Sequence, residues 1–389
     1  MLKNFFFIIF IFNFLIFKIH NLNNNISINS FEHINYCPVT SIYTSYNYKI
    51  NTKFNNTFYN NLKISSKEKI NSSNLNLIQN DFIINKQKNI INNLLKKLIT
   101  GDYILLDLPY YSNIGDALIW KGTEDFLSTT SYKCIYRCSL ETFVYQNLSE
   151  NIVIIMMGGG NFGDIYPQHN KFRSHILISY PNNKIIILPQ TVYYKNIQNA
   201  KKDAIIFSQH KNLIIFARDN FSFNFLNNLK FSNKIKLMPD MAFYINLNWL
   251  KTMKMPLNGK NLFFKRIDIE AKKLNYTSKM LGLDNYDIND WPLYGKKDPM
   301  LKHLLSLIKM HKFNEANEYA IKIYLPNRIR LGVNFISQYK KIVSNRLHAA
   351  ILSILLNKEI VILDNSYGKN SQYYNTWLQK VNGITLNSI

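Results

Sequence analysis

Cysteine is nearly absent from this 389-residue chain, which has only Cys37, Cys134 and Cys138. An odd, small number argues against a disulfide framework. Cys134 and Cys138 have the spacing of a metal pair, but no second Cys or His pair follows closely, so no structural zinc is expected. Acidic residues are also scarce: 24 Asp and Glu stand against 47 Lys and Arg, a formal net charge of +23. All charged residues together reach only 18%. Asn supplies the missing polarity, beside abundant Ile, Lys, Phe and Tyr. All five are spelled by A/T-rich codons, so genome composition accounts for part of the Lys excess. The remaining excess suits an anionic substrate or a membrane surface. Zinc-finger spacing and RNA-binding motifs are missing and the basic residues are scattered, so no nucleic-acid partner is expected. No internal repeat is present.

A long hydrophobic run is missing as well. The longest, FFFIIFIFNFLIF at residues 5–17, is interrupted by Asn13 and flanked by Lys3 and Lys18. It falls short of the ~20 apolar residues of a membrane span and fits a signal-peptide core better. No small-residue cleavage site follows it, so an uncleaved signal-anchor in the secretory pathway or Golgi membrane is the expectation, with membrane anchoring through residues 5–17. Sequons at Asn25, Asn55, Asn71, Asn147, Asn220 and Asn275 are what chance gives in so Asn-rich a chain. The domain reading is a hydrophobic segment at 1–20, an Asn-rich stem or linker at 21–98 with a helix near Gln87 to Leu98, and two folded units at 99–257 and 258–389.

The folded pattern begins near residue 99. Apolar strands are expected at 103–108, 133–137, 152–157, 184–188, 213–217 and 235–238, with helices at 115–127, 198–208 and from Asn220. The second unit has strands at 261–265, 341–343 and 359–363, and helices at 346–356 and 371–380. Residues 295–335 match no clear pattern. Continuous apolar strands alternating with helices predict an α/β fold whose parallel sheets are covered on both faces. Two such units would face each other across a cleft, with ligands outside the carboxyl ends of the strands.

Chemistry-bearing residues stand at those strand ends. After YILLDL comes SNIGDA, in which Asn113 or Asp116 can cap a helix or contact substrate. After IVIIMM comes Gly158-Gly159-Gly160-Asn161-Phe162-Gly163-Asp164. Gly158, Gly160 and Gly163 satisfy the G-x-G-x-x-G dinucleotide spacing, but the next strand ends in Leu188-Pro189-Gln190-Thr191 where that fingerprint needs an acidic residue. Pro167 also does not suit a helix opening directly on a pyrophosphate. Arg218 can grip a carboxylate or phosphate, or pair with Asp219. Asp240 can orient a cation, accept from a sugar hydroxyl or cap a helix. In Ser344-Asn345-Arg346-Leu347-His348, Ser344 or Asn345 can be the N-cap. Arg346 and His348 then lie beside free helical N–H groups, an arrangement suited to an anion and to proton donation. Lys369, after Gly368, can add a third cation.

The ordered series SNIGDALI, GGGNFGD, LPQTV, ARD, PDMAF, SNRLHA and DNSYGK resembles the polysaccharide pyruvyl transferase family from about residue 99 to 380. LFFKRID at 262–268 and DWP at 290–292 resemble further family features. The resemblance implies two Rossmann-like domains of the glycosyltransferase type B arrangement, facing a cleft. It implies phosphoenolpyruvate as co-substrate, with no other cofactor and no metal, and a glycan acceptor. It implies His348 as general acid and Arg218, Arg346, Leu347 and Lys369 as donor-binding residues. Asn113, Asp116, Gly159, Gly160, Asn161, Asp164, Gln190 and Asp240 are the substrate-cleft candidates. The alternatives are a sugar-nucleotide-dependent glycosyltransferase of the same fold and an inactive glycan-binding relative. The oligomeric state is not read from the sequence.

Overall fold

The computed structural model describes residues 72–387, apart from 233, 273–274, 294–297, 380 and 382. The expectations for residues 1–20 and 21–71, including the anchor at 5–17, lie outside the described residues. Among the described residues, no helix is long and apolar enough to cross a membrane.

The strands are β1 (Tyr103–Leu106), β2 (Cys134–Cys138), β3 (Val153–Met156), β4 (Gly159–Gly163), β5 (Ile185–Tyr193), β6 (Leu213–Ala217), β7 (Ile235–Leu237), β8 (Asn261–Phe264), β9 (Tyr286–Asn289), β10 (Lys341–Ser344), β11 (Glu359–Leu363) and β12 (Ile384–Asn387). They form two sheets. The first runs β2-β1-β3-β5-β6-β7, with β4 paired to β5; the second runs β12-β11-β10-β8-β9. Every pairing is parallel. The strands of the two sheets separate between residues 237 and 261.

The apolar runs are continuous because both faces of each sheet are covered. Tyr103 and Leu105 of β1 enter one core, while Ile104 and Leu106 enter another. In the second sheet, Leu262 and Phe264 face the larger core and Phe263 the opposite face. That larger core takes alternate residues from both sheets. Helices α1 (Ser72–Leu95), α2 (Ile114–Leu127), α3 (Pro167–Ser179), α4 (Ile197–Ser208), α5 (Asn220–Asn228), α6 (Pro299–Lys309), α7 (Phe313–Tyr319), α8 (Leu325–Ser337), α9 (Leu347–Leu355) and α10 (Lys369–Tyr373) surround the sheets.

Two sequence readings are changed. The helix expected near Gln87 to Leu98 is longer and begins earlier: 72–95 is one helix that buries Ile83, Ile84, Ile91 and Leu95 in the larger core, so the expected stem does not reach residue 98. Beyond β4 a helix opens at Pro167, whose missing N–H costs nothing in the first helical turn. Residues 299–309 and 313–337 are helical, with Leu304, Leu307, Ala316, Tyr324, Ile329, Val333 and Ile336 buried. These helices brace the segment after β1. Tyr324 Oη donates to the Tyr111 carbonyl at 3.0 Å, Arg328 Nη2 to the Ser112 carbonyl at 2.9 Å, and Tyr110 Oη to Asn317 Oδ1 at 2.9 Å.

The strand orders also locate the ligand site. In the first sheet the order reverses between β1 and β3; in the second it reverses between β8 and β10. Such a reversal leaves a crevice at the carboxyl ends of the two flanking strands.

Candidate functional site

Both crevices contribute to one cavity of about 380 Å³. Tyr111, Ser112, Asn113 and Asp116 reach it from the segment after β1, and Gly160 and Asn161 from beyond β3. Arg266 and Glu270 follow β8, and Arg346, Leu347 and His348 follow β10. Arg218, Trp291 and Lys369 come from the ends of β6, β9 and β11, and Tyr166, Gln168 and His169 from the start of α3.

His348 is the second residue of α9. Arg346 occupies the N-cap position, and no side chain caps this helix. The expected caps are engaged elsewhere: Ser344 Oγ accepts from the Arg346 N–H at 2.9 Å, and Asn345 Oδ1 from the Arg266 N–H at 2.7 Å. The exchange leaves the positive end of α9 open beside the cavity.

His348 Nε2 lies 3.2 Å from Asp240 Oδ2, which also accepts from Arg218 Nη1 at 2.8 Å. Asp240 Oδ1 accepts from the Ala242 N–H at 2.9 Å, so this residue caps a turn and orients two cationic groups at once. Burial alone would raise the Asp240 carboxyl, but His348 and Arg218 outweigh it and hold it well below the usual carboxylate range. An ionised Asp240 fixes the Nε2–H of His348, leaving Nδ1 as the nitrogen that can exchange a proton.

Arg218 does not pair with Asp219, which caps α5 and accepts from Thr191 Oγ1. Arg218 is fully buried; its Nε donates to Thr191 Oγ1 at 2.8 Å, and its Nη2 has no partner. A Cβ built on Gly160 would stand 3.1 Å from that Nη2 and 3.3 Å from Lys369 Nζ. Glycine here keeps a space between two cations.

The remaining charges alternate along a ladder. Arg346 binds Asp290 through both Nε and Nη2, and Asp268 at 3.0 Å. Arg266 binds Asp268 at 2.5 Å and Glu270 at 2.6 Å, and Lys369 Nζ binds Glu270 at 2.6 Å. Burial pushes Glu270 up, but Lys369 and Arg266 bring it to about 2. Burial lowers the Lys369 ammonium, and Glu270 only partly opposes this, leaving it at about 8.

Of the residues expected from sequence, His348, Arg218, Arg346, Leu347, Lys369, Asn113, Asp116, Gly160 and Asn161 line the cavity. Asp240 stands behind His348 and Arg218. Asn113 caps α2 by accepting from the Gly115 N–H and donates to Asp116 Oδ2 at 2.7 Å. Three expected residues lie outside the lining. Asp164 accepts from the Lys195 and Asn196 N–H groups and from Asn199 Nδ2, holding the turn before α4. Gln190 is fully buried in β5 and donates to the Met157 carbonyl. Gly159 takes φ 140° where the chain leaves β3, and Gly160 reaches the cavity instead. The G-x-G-x-x-G stretch continues as β4, not as a helix opening on a pyrophosphate. Cys134 and Cys138 are both raised to about 12 by burial. Among the described residues, no group of three or more His, Cys, Asp or Glu could hold a metal ion.

Sequence reasoning gave no site role to Arg266, Glu270, Trp291 or His169. The first three follow strands of the second sheet, and strand-end position was the available signal. His169 was hidden because its anchor is distant in sequence. Its Nδ1 lies 2.7 Å from Asp107 Oδ1, and Asp107, at φ 68° just beyond β1, also accepts from Arg173 Nη2 at 3.1 Å.

Residues 113–367 match the polysaccharide pyruvyl transferase family. EpsO of Bacillus subtilis, a candidate pyruvyl transferase, is 36% identical over 287 residues, covering 72% of this chain and 87% of EpsO. Pyruvyl transferase 1 of Schizosaccharomyces pombe is 25% identical over 302 residues, covering 73% of this chain and 71% of the relative. The crystal structure of a functionally uncharacterized protein from Klebsiella pneumoniae superposes with a TM-score of 0.56 at 23% identity. It covers 78% of this chain and 99% of that one, a likeness of fold. With its strand-end motifs gathered around one cavity, the chain is a transferase that belongs to the polysaccharide pyruvyl transferase family.

Proposed function

We propose that the chain transfers the enolpyruvyl group of phosphoenolpyruvate to two hydroxyls of a glycan sugar, forming a pyruvate ketal, and that its two sheets act as two Rossmann-like domains around the donor cleft. The observation that carries this reading is the space at Gly160. There the unpartnered Arg218 Nη2 and the Lys369 ammonium face each other, with the open end of α9 lining the same cavity. A donor bearing both a carboxylate and a phosphate needs such a convergence of cations and N–H donors.

In this scheme the His348 imidazolium keeps Nε2–H on Asp240 and gives its Nδ1 proton to the donor methylene, making it a methyl group. The first sugar hydroxyl attacks the adjacent carbon and loses its proton. Phosphate departs, the second hydroxyl closes the ketal, and its proton leaves with the phosphate. Two hydroxyl protons are lost; one restores His348 and the other goes to phosphate. Arg218, Arg346, Leu347 and Lys369 hold the donor, and His348 supplies the acid. Asn113, Asp116 and Asn161 border the space left for the acceptor.

The test is phosphate release from phosphoenolpyruvate by the full chain with galactoside, mannoside and glucosamine-type acceptors, beside His348→Ala. Acceptor-dependent release that His348→Ala abolishes is expected. No release, with no thermal stabilisation by phosphoenolpyruvate, overturns the reading.

A further inference from the structure

From Arg266 to Glu270 the usual pattern of an exposed segment is inverted. Arg266, Asp268 and Glu270 turn inward, while Ile267 and Ile269 remain 69% and 70% exposed. Charged side chains are placed inside only where partners await them, and Glu270 has five. Its Oε2 accepts from Lys369 Nζ at 2.6 Å, Tyr367 Oη at 2.8 Å and Asn365 Nδ2 at 3.3 Å. Its Oε1 receives Arg266 Nη2 at 2.6 Å and Tyr166 Oη at 3.3 Å. The Glu270 carbonyl accepts from the Ser366 N–H at 3.1 Å.

These partners come from three places: the segment after β8, the segment after β11, and the residue that opens α3 beside the first sheet. A carboxylate has about four lone-pair sites, so Glu270 is saturated and has little room to move. Tyr367, one of its donors, also stacks on Tyr193 of β5 with centroids 4.4 Å apart, a second link to the first sheet. Without Glu270, the Lys369 ammonium would face Arg266 and Arg218 with no carboxylate between them, and only the Tyr367 ring beside it.

We infer that Glu270 is the positioning residue of the donor pocket: its carboxylate holds the Lys369 ammonium at the Gly160 space and keeps it charged there. The inference rests on the donor reading of that space. Removing the Glu270 charge leaves burial, Arg266 and Arg218 acting on Lys369, all of which favour the neutral amine. Lys369 then loses its proton at a lower pH, and the donor loses a cation in the neutral and alkaline range.

The experiment follows the Lys369 ammonium by NMR in ¹³C-lysine-labelled full chain, assigned with Lys369→Arg, in the native protein and in Glu270→Gln. The KM for phosphoenolpyruvate is measured on both across pH 6 to 9. Lys369 is expected to titrate near pH 8 in the native chain and about one unit or more lower in Glu270→Gln, one unit being a tenfold change in equilibrium. The KM of Glu270→Gln is expected to rise on the order of tenfold at pH 8 and to return toward the native value at pH 6. Glu270→Asp keeps the charge but withdraws it by one methylene, so it must shift Lys369 the same way by less; it also provides the measurement if Glu270→Gln does not fold. An unchanged Lys369 titration in a folded variant, or a KM raised equally at every pH, overturns the inference. A shifted titration in a protein that never releases phosphate overturns the donor reading and leaves the pairing of Glu270 with Lys369 standing.

Discussion

Replacing Gly115 with alanine puts a methyl group where the His348 ring stands. A Cβ at residue 115 would lie 2.6 Å from His348 Nδ1, 2.8 Å from its Cβ and 2.9 Å from its Cγ. Separations below 3.0 Å are sterically forbidden, and the atoms involved belong to a side chain held between α2 and Asp240. Turning the ring cannot clear the His348 Cβ, so the first turns of α2 and α9 must move apart, which shifts the ring from its 3.2 Å contact with Asp240. That moves the proposed acid. A displacement near 1 Å at a reacting group costs on the order of 10²-fold in rate, and a general acid is worth about 10²–10⁴-fold. Gly115→Ala should therefore lower kcat on the order of 10²-fold. Folding should survive, because alanine is favoured over glycine within a helix by roughly 0.5–1 kcal/mol and the Asn113 side-chain cap needs only the backbone N–H of residue 115. The assay is phosphate release from phosphoenolpyruvate for Gly115→Ala, His348→Ala and the double variant, with thermal melts of each. If Gly115 acts only through His348, the double variant is no slower than His348→Ala alone. A Gly115→Ala protein with kcat within threefold of native, or effects that simply add, would refute the assignment.

Two further perturbations probe different parts of the argument. Gly160→Ala narrows the space between Arg218 Nη2 and Lys369 Nζ. It should raise the KM for phosphoenolpyruvate about 10- to 100-fold, the worth of one hydrogen bond to a charged group, while leaving the melting temperature unchanged. The second compares a chain beginning at Lys69 with one beginning at Lys96. The shorter loses α1 and its four buried side chains, Ile83, Ile84, Ile91 and Leu95, at about 1.5–3 kcal/mol each. The upper estimate of roughly 6–12 kcal/mol approaches the whole stability of a typical domain, so cooperative urea unfolding should be seen only for the longer chain.

The strands were legible because each is an apolar run flanked by turn residues; LIIFA and EIVIL keep their expected bounds as β6 and β11. The missed strands lack that signal. GGNFG is glycine-rich, and YDIN carries an Asp that accepts from Lys260 Nζ. Helix α1 was read only near its C-terminal half because its sequence is as Asn-rich as the preceding segment, and among the described side chains Ile83, Ile84, Ile91 and Leu95 mark its buried side. At the site, strand-end position found Arg218, Arg346, Lys369 and the carboxylate Asp240, but not Arg266 or the other carboxylates. Asp268, Glu270 and Asp290 are ordinary loop acids until the fold brings Arg266, Arg346 and Lys369 beside them. Asp164 and Gln190 show the converse: each sits in a suggestive motif, yet Asp164 holds the turn before α4 and Gln190 Nε2 donates to a backbone carbonyl within the sheet.

The chain's large positive charge is therefore a poor guide to how it recognises an anion. Within the cavity, Arg218, Arg266, Arg346 and Lys369 are matched by Asp240, Asp268, Glu270 and Asp290. Four unmatched cations so close together would repel one another by several kcal/mol per pair; at 4 Å the figure is about 4 kcal/mol even with an effective dielectric constant near 20. Such a cluster would spread apart or shed protons. The carboxylates remove that repulsion and fix each cation in place before any ligand arrives. What remains to attract an anion is local and directional: the unpartnered Arg218 Nη2, the Lys369 ammonium beside it, and the open end of α9. Recognition by placed donors in a buried cavity is screened little by salt, and it selects ligands by where their charges lie. A balanced ladder of this kind suits a donor whose carboxylate and phosphate must be held while a proton reaches the methylene beside the carbon that bears them both.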